Sequence, residues 1–432
     1  MCGIFGILNI VNKENIINEL IDGMKKLQHR GKDSYGISSL DNNYENKINK
    51  YMGLINGGPE NDVDILSCIG HIKYSTSGKS LNNQLDIEEV QPIKKNDIII
   101  VHNGNIPCIC SFDTEYILRN IVNYDGTIEE GIINTIQRIP ASYSIIIQNR
   151  DKLYILKDRY GIRPLCYGYK GGNIYISSET VGLDGCTGIT EVFSGEVLKI
   201  SKDGVEQIYR HPKTFDSICS FELIYFMDPL SKYKKYSVKF LREELAYKLY
   251  QREKKIKKGG DFIVVGVPKS GIIYGEKYAQ YLSLEYKQLI KKKDTERTFI
   301  TNNTEKISEL CDRKFLFDSE GIKGKKVIVV DDTIVRGNVI KSIIRKLKVL
   351  NAKEIHIRIP SPPVIDICQL GIAITKKKEL IMNTIIDNDI CKALAVNSLE
   401  YLTLDDLNIF PKNSYKQCFG GGIPSEILSL NT

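Results

Sequence analysis

Residues 326–338 read KVIVVDDTIVRGN, an apolar run that ends in two acids and a short polar loop. A strand that is apolar on both faces must be covered on both, as in a parallel sheet. Apolar spacing then gives a helix over residues 339–350 and a strand over residues 355–359. Upstream, a basic helix over residues 238–257 leads to a second fully apolar strand at 262–267. The turn Pro268-Lys269-Ser270-Gly271 opens a further helix. Alternation of this kind specifies an α/β unit with a mostly parallel sheet. Ligands of such sheets bind beyond the carboxyl ends of the strands. Asp331 and Asp332 are therefore candidates to contact sugar hydroxyls, or a magnesium ion shared with them. Backbone N–H groups at the following helix start suit phosphate. Neighbouring strand residues face opposite ways, so the two acids should have unequal roles. The plainer alternative is a capped loop with surface acids.

The first half has a different texture. Short strands are expected at residues 68–74, 98–102, 144–148, 153–157 and 173–177. Ile16, Ile17, Leu20, Ile21, Met24 and Leu27 fall at helical spacing, and a second helix is expected over residues 114–123. Runs of strands with intervening helices point to a layered α+β domain. The texture changes near residues 211–220. Two domains follow, 2–215 and 216–432, and 432 residues suit that count.

Composition limits the class. With 42% apolar and 26% charged residues the chain can bury a core and coat it with charge. No apolar run is long enough to span a bilayer. The opening MCGIFGILNIV lacks the basic residues and cleavage site of a signal peptide. Eleven scattered cysteines fit a reducing, cytoplasmic compartment better than a disulfide framework. The net charge of +7 and the lysine blocks at 254–258, 291–293 and 376–378 lack the interleaved aromatic residues of a nucleic-acid surface. Neither nucleic acid nor membrane is an expected partner.

Cys2 is the most informative single residue. Removal of the initiator Met would place a thiol and a free α-amine on one residue, nucleophile beside base. Gly3 and Gly6 would allow close backbone approach. The alternative is an ordinary buried cysteine in a first strand. Other segments weigh against that alternative. They are QHRGKDS (28–34), GHIKYSTSG (70–78) and HNGNI (102–106). The Asn103 side-chain amide and the Gly104 N–H could supply two convergent oxyanion donors, although Asn-Gly more often makes a tight turn. A Walker-type loop ending at Gly78-Lys79-Ser80 fails, because Lys73 stands where its first glycine belongs.

Together with MCGIFGI, DRYGIRPL (158–165) and Ser178-Glu179, these segments resemble class II glutamine amidotransferases. The resemblance implies an αββα N-terminal-nucleophile sandwich in which Cys2 attacks the glutamine amide and forms a glutamyl thioester. Asn103 and Gly104 would hold the oxyanion. Arg30, Lys73 and Asp113 would serve glutamine binding, Arg30 by ordering the site, with an N-cap before Thr114 as the other reading of Asp113. Residues 331–338 resemble the phosphoribosyl diphosphate loop of type I phosphoribosyltransferases. With FELIYF (221–226), VPKSG (267–271), RTFI (297–300), IPSPP (359–363) and SLEYL (398–402), nearly the whole chain resembles the amidophosphoribosyltransferase family. That family aminates phosphoribosyl diphosphate with glutamine, the committed step of purine synthesis. Asp331 and Asp332 would contact ribose and Mg2+. Thr333, Arg336, Gly337 and Asn338 would hold the 5-phosphate, and Lys269, Ser270 and Gly271 the pyrophosphate. A mobile segment before Arg297 would close over the substrate. Homo-oligomerisation and a purine nucleotide feedback ligand are also implied.

Several residues depart from the family pattern. Lys73 replaces an arginine and loses its bidentate fork. Lys269 replaces an acid, Asn338-Val339 stands in place of two threonines, and residues 291–296 lack an expected tyrosine. Cys219, Cys368 and Cys418 match three of four iron–sulfur ligands and Tyr415 occupies the fourth, so no cluster is expected. These departures leave two other readings open: a paralogue aminating another phosphoribosyl substrate, and a catalytically lapsed regulatory subunit.

Overall fold

The computed structural model describes residues 1–59, 64–74, 87–107, 112–293, 314–370, 372, 374, 376–385 and 389–422. The RTFI motif lies outside them, as do residues 75–80 and residues 294–296 of the segment expected to close over the substrate. Among the described residues no helix is long and apolar enough to cross a membrane.

The first half folds as two antiparallel sheets. In the seven-stranded sheet the strand Gly3–Leu8 is central, between Asn173–Ser177 and Ile65–Lys73, and Ser34–Asp41 and Asn46–Met52 follow on one side. The six-stranded sheet includes Ile98–Asn105, Ser142–Asn149 and Lys152–Lys157 as consecutive neighbours. The period-two alternation of strands sorts the side chains into layers. Ile4 and Leu8 meet Ile99, Val101 and Ile146 between the sheets. Phe5 and Ile7 point the other way, onto the helix Ile16–Lys26. Ile145 and Ile147 pack outward against Ile117, Ile121, Ile132 and Ile136 of the helices Asp113–Val122 and Ile128–Arg138. The order is helix, sheet, sheet, helix, as the family resemblance implies.

The second half is built on a five-stranded parallel sheet in the order Glu285–Tyr286, Ile263–Gly266, Lys326–Val330, Glu354–Ile359, Ser398–Tyr401. Val264, Ile328 and Val330 face one core, while Ile263, Val265, Val327 and Val329 face another. This explains the unbroken apolar runs. The basic helix stops at Arg252, five residues short of expectation. Glu253 turns inward instead, to Arg358 Nη2 at 3.0 Å, and accepts the N–H groups of Lys255 and Ile256.

Candidate functional site

Cys2 heads the central strand of the first sheet, and Asn103 lies near the end of Ile98–Asn105 in the second. The sandwich brings them together: Cys2 N donates to Asn103 Oδ1 at 3.1 Å. Asn103 is buried, and its Nδ2 has no hydrogen-bond partner among the described residues. A buried amide donor left unpaired is costly unless something else takes its hydrogen bond. Gly104 admits no side chain, because a Cβ would lie 2.1 Å from Ser142 O. Gly3 and Gly6 are different. A Cβ on either meets nothing closer than 3.4 Å, so the expected close approach is not what selects them. Met1 is buried in the core with Tyr160, Ile162 and Phe221, and burial pushes its α-amine down to about 5. With Met1 in place, the Cys2 nitrogen is an amide.

Arg30, which ends a single 3-10 turn at Gln28–Arg30, is wholly buried. Its Nε donates to Cys2 O at 2.8 Å. Nη2 and Nη1 reach the two Glu222 oxygens at 2.8 and 3.1 Å, and Nη1 also meets Glu179. Its donors are thus spent on protein carboxylates and the Cys2 carbonyl. Burial would raise Glu179, but His29 at 2.8 Å and Arg30 hold it down at about 2. Neither Glu179 nor Glu222 carries a role in the sequence reading, although both lie inside recognised motifs. The available signal is a carboxylate in an otherwise apolar run, FELIYF, where burial demands a cation.

Lys73 ends the strand Ile65–Lys73, with Nζ 3.4 Å from Glu89 Oε2 and 5.9 Å from the Phe112 ring centre. Asp113 is the first residue of its helix and not its cap; the cap is Phe112, without a side-chain hydrogen bond. Freed of that duty, the Asp113 carboxylate stands 3.8 Å from His102 Nδ1.

The second cluster forms where two neighbouring parallel strands end. Val267 N donates to Val330 O at 2.9 Å, and Ser270 Oγ approaches Asp331 Oδ1 at 3.4 Å. Gly271 is required by this approach, since a Cβ would fall 2.2 Å from Val330 O. Burial and the neighbouring Asp332 push Asp331 well above the usual carboxylate range. Burial also raises Asp332, against hydrogen bonds from Ser270 and Thr333, whose Oγ1 donates at 2.8 Å. Gly337 takes a left-handed φ of 78° and leads into the helix Asn338–Val349 without a side-chain cap. Arg336 is turned to Glu379, 2.8 Å away, and Lys269 is exposed.

A π-helical turn, Glu222–Phe226, spans from one cluster toward the other, with Met227 N donating to Glu222 O at 2.9 Å. Phe226 meets Tyr74 edge-on at 6.5 Å, one residue beyond Lys73. Cys219, Cys368 and Cys418 are buried together with Tyr415. Burial pushes Cys219 up to about 12 and also raises the other two thiols.

The chain matches the model of the phosphoribosyl transferase domain over residues 234–360 and that of the glutamine amidotransferase domain over residues 79–184. It is 34% identical to the amidophosphoribosyltransferase of Archaeoglobus fulgidus, covering 94% of this chain and 93% of that protein. It is 31% identical to that of Methanocaldococcus jannaschii, covering 99% and 98%. Among solved structures it superposes on the glutamine phosphoribosylpyrophosphate amidotransferase of B. subtilis, complexed with ADP and GMP, with a TM-score of 0.85. That match has 28% identity and covers 98% of this chain and 97% of the other. With both clusters in place on this scaffold, the chain belongs to the amidophosphoribosyltransferase family.

Proposed function

We propose that the chain transfers ammonia from glutamine to phosphoribosyl diphosphate, giving phosphoribosylamine, glutamate and pyrophosphate, with residues 2–215 as the glutaminase unit and 216–432 as the transferase unit. The observation that carries this reading is Asn103. Its Oδ1 is held by Cys2 N while its buried Nδ2 has no protein partner among the described residues. A donor fixed next to a thiol and left open is what a developing oxyanion needs.

Removal of Met1 frees the Cys2 α-amine, which takes the thiol proton as sulfur attacks the amide carbon. Asn103 Nδ2 and the Gly104 N–H receive the oxyanion. The C–N bond breaks, the amine returns the proton to the leaving ammonia, and water then cleaves the thioester to glutamate. Lys73 and Asp113 grip the α-carboxylate and α-ammonium of glutamine, and Arg30 orders Cys2 and leaves the ligand to them. In the second unit ammonia displaces pyrophosphate at the sugar's anomeric carbon. Asp331 and Asp332 hold the ribose, with Thr333, Arg336, Gly337 and Asn338 around the 5-phosphate and Lys269, Ser270 and Gly271 along the pyrophosphate.

Two buried adjacent acids with raised pKa values and no ion pair among the described residues suit a magnesium ion completed by substrate oxygens. Bound there, magnesium would neutralise charge on the leaving pyrophosphate. Three buried, raised thiols and a tyrosine do not suit a four-thiolate iron–sulfur cluster. A purine nucleotide ligand is supported by the complex of the B. subtilis neighbour with ADP and GMP. Homo-oligomerisation follows the family. A cytoplasmic site agrees with the eight described cysteines, which are all free.

The test is pyrophosphate release by the purified protein. It should require phosphoribosyl diphosphate and either glutamine or ammonium; Cys2→Ala should abolish the glutamine-driven reaction and keep the ammonium-driven one. A Cys2→Ala protein that still uses glutamine sinks the proposal, as does a mature chain that retains Met1. Full-length similarity to named amidophosphoribosyltransferases disfavours the altered-substrate and regulatory readings.

A further inference from the structure

Arg30 belongs to the first unit, yet its strongest partner comes from the second. Glu222 opens the π-helical turn beyond residue 216 and accepts both terminal nitrogens of the Arg30 guanidinium, at 2.8 and 3.1 Å. A bidentate carboxylate fixes the plane of a guanidinium as well as its charge. The remaining edge of that plane, Nε, donates to the Cys2 carbonyl at 2.8 Å. The chain of contacts therefore runs from the second unit, through one rigid side chain, to the main chain of the nucleophile. Glu179 completes the clamp and is itself tied to the second unit, accepting from Asp228 N at 2.8 Å and Ser231 Oγ at 2.7 Å. Arg163 stands 3.5 Å from Glu222, so two buried arginines face two buried carboxylates, with His29 beside Glu179. Such a buried group keeps its geometry only while all its members are present.

We propose that Glu222 is a positioning residue for glutamine cleavage: through Arg30 it sets the Cys2 main chain, so the first unit reaches its reactive geometry only when docked on the second. The proposal rests on the reading of Cys2 as nucleophile. Removing one oxygen's charge while keeping its shape, in Glu222→Gln, loosens the fork without emptying the site. Small misplacements of a nucleophile lower turnover more than binding.

The experiment compares full-length wild type, Glu222→Gln, Arg30→Lys and Cys2→Ala in glutamine-driven and ammonium-driven synthesis, with thermal unfolding in parallel. Glu222→Gln should lower the glutamine-driven kcat roughly tenfold to a hundredfold. Its KM for glutamine should stay within about twofold, and the ammonium-driven rate should fall far less. Arg30→Lys keeps the charge but loses the fork and the Nε contact, and should show the same split. If Glu222→Gln fails to fold, the Arg30→Lys split decides. Parallel loss of both activities, or a kcat equal to wild type while Cys2→Ala is dead, overturns the positioning role and leaves the nucleophile intact. Glutamine use by Cys2→Ala overturns both.

Discussion

Lys157 and Glu191 form a buried pair with Nζ and Oε1 3.7 Å apart, at 1% and 9% side-chain exposure. At that distance and depth attraction does not offset desolvation. Burial pushes Glu191 up to about 7 and lowers Lys157. The sign of the consequence follows from proton counting. Between the ordinary glutamate value of 4.5 and about 7 the folded chain keeps a proton on Glu191 that the unfolded chain has lost. The stability from that proton is complete below pH 4.5 and gone once pH passes the folded value. One such group tilts stability by about 1.4 kcal/mol per pH unit at most. In urea unfolding, wild-type stability relative to Glu191→Gln should fall from pH 5 to pH 7.5. Identical profiles for the two proteins would refute the account. Nothing in the sequence marked this pair, because the two residues lie 34 positions apart and meet only through the fold.

Elements were more legible than their boundaries. The helix Ile16–Lys26 and the strands around Val101, Ile146 and Val329 follow from apolar period alone. The helix Ile128–Arg138 is not among the helices the sequence predicts, although its start carries a capping box, Thr127 with Glu130. The basic helix ends earlier than its apolar period predicts, because Glu253 pairs with Arg358, 105 residues away. Packing also reverses what local preference would say. Gly23 sits mid-helix, where alanine would gain about 1 kcal/mol of helix propensity. A Cβ there would lie 2.3 Å from Phe5 Cζ, inside a core that holds the ring. Overpacking of this kind costs about 1–3 kcal/mol, so the clash outweighs the propensity. Gly23→Ala should lower the urea midpoint; a rise would mean the Phe5 ring can move aside.

At the scale of the whole molecule, the pieces of the two candidate clusters stand out in the sequence because each piece is a short motif near the end of a strand, although only the fold brings Cys2 to Asn103, 101 positions away. The bridge between them does not, since Arg30, Glu179 and Glu222 come from three distant segments. That bridge is one of several. Asn105, two residues past Asn103, donates to Gln369 O at 2.7 Å across the boundary proposed between residues 215 and 216. Tyr160 and Ile162 of the first unit share one core with Ile218, Phe221 and Phe419 of the second. Interfaces between domains in one chain allow relative motion unless they are large and apolar. Here the boundary is crossed by a continuous buried apolar cluster and a buried charge network, so opening it would expose apolar side chains and strand Arg30. The two units should therefore unfold as one. Calorimetry of the mature chain should give a single endotherm whose calorimetric and van't Hoff enthalpies agree. Two resolved endotherms in the wild-type chain would show that the boundary is a hinge, and Glu222 could not then hold Cys2 in register.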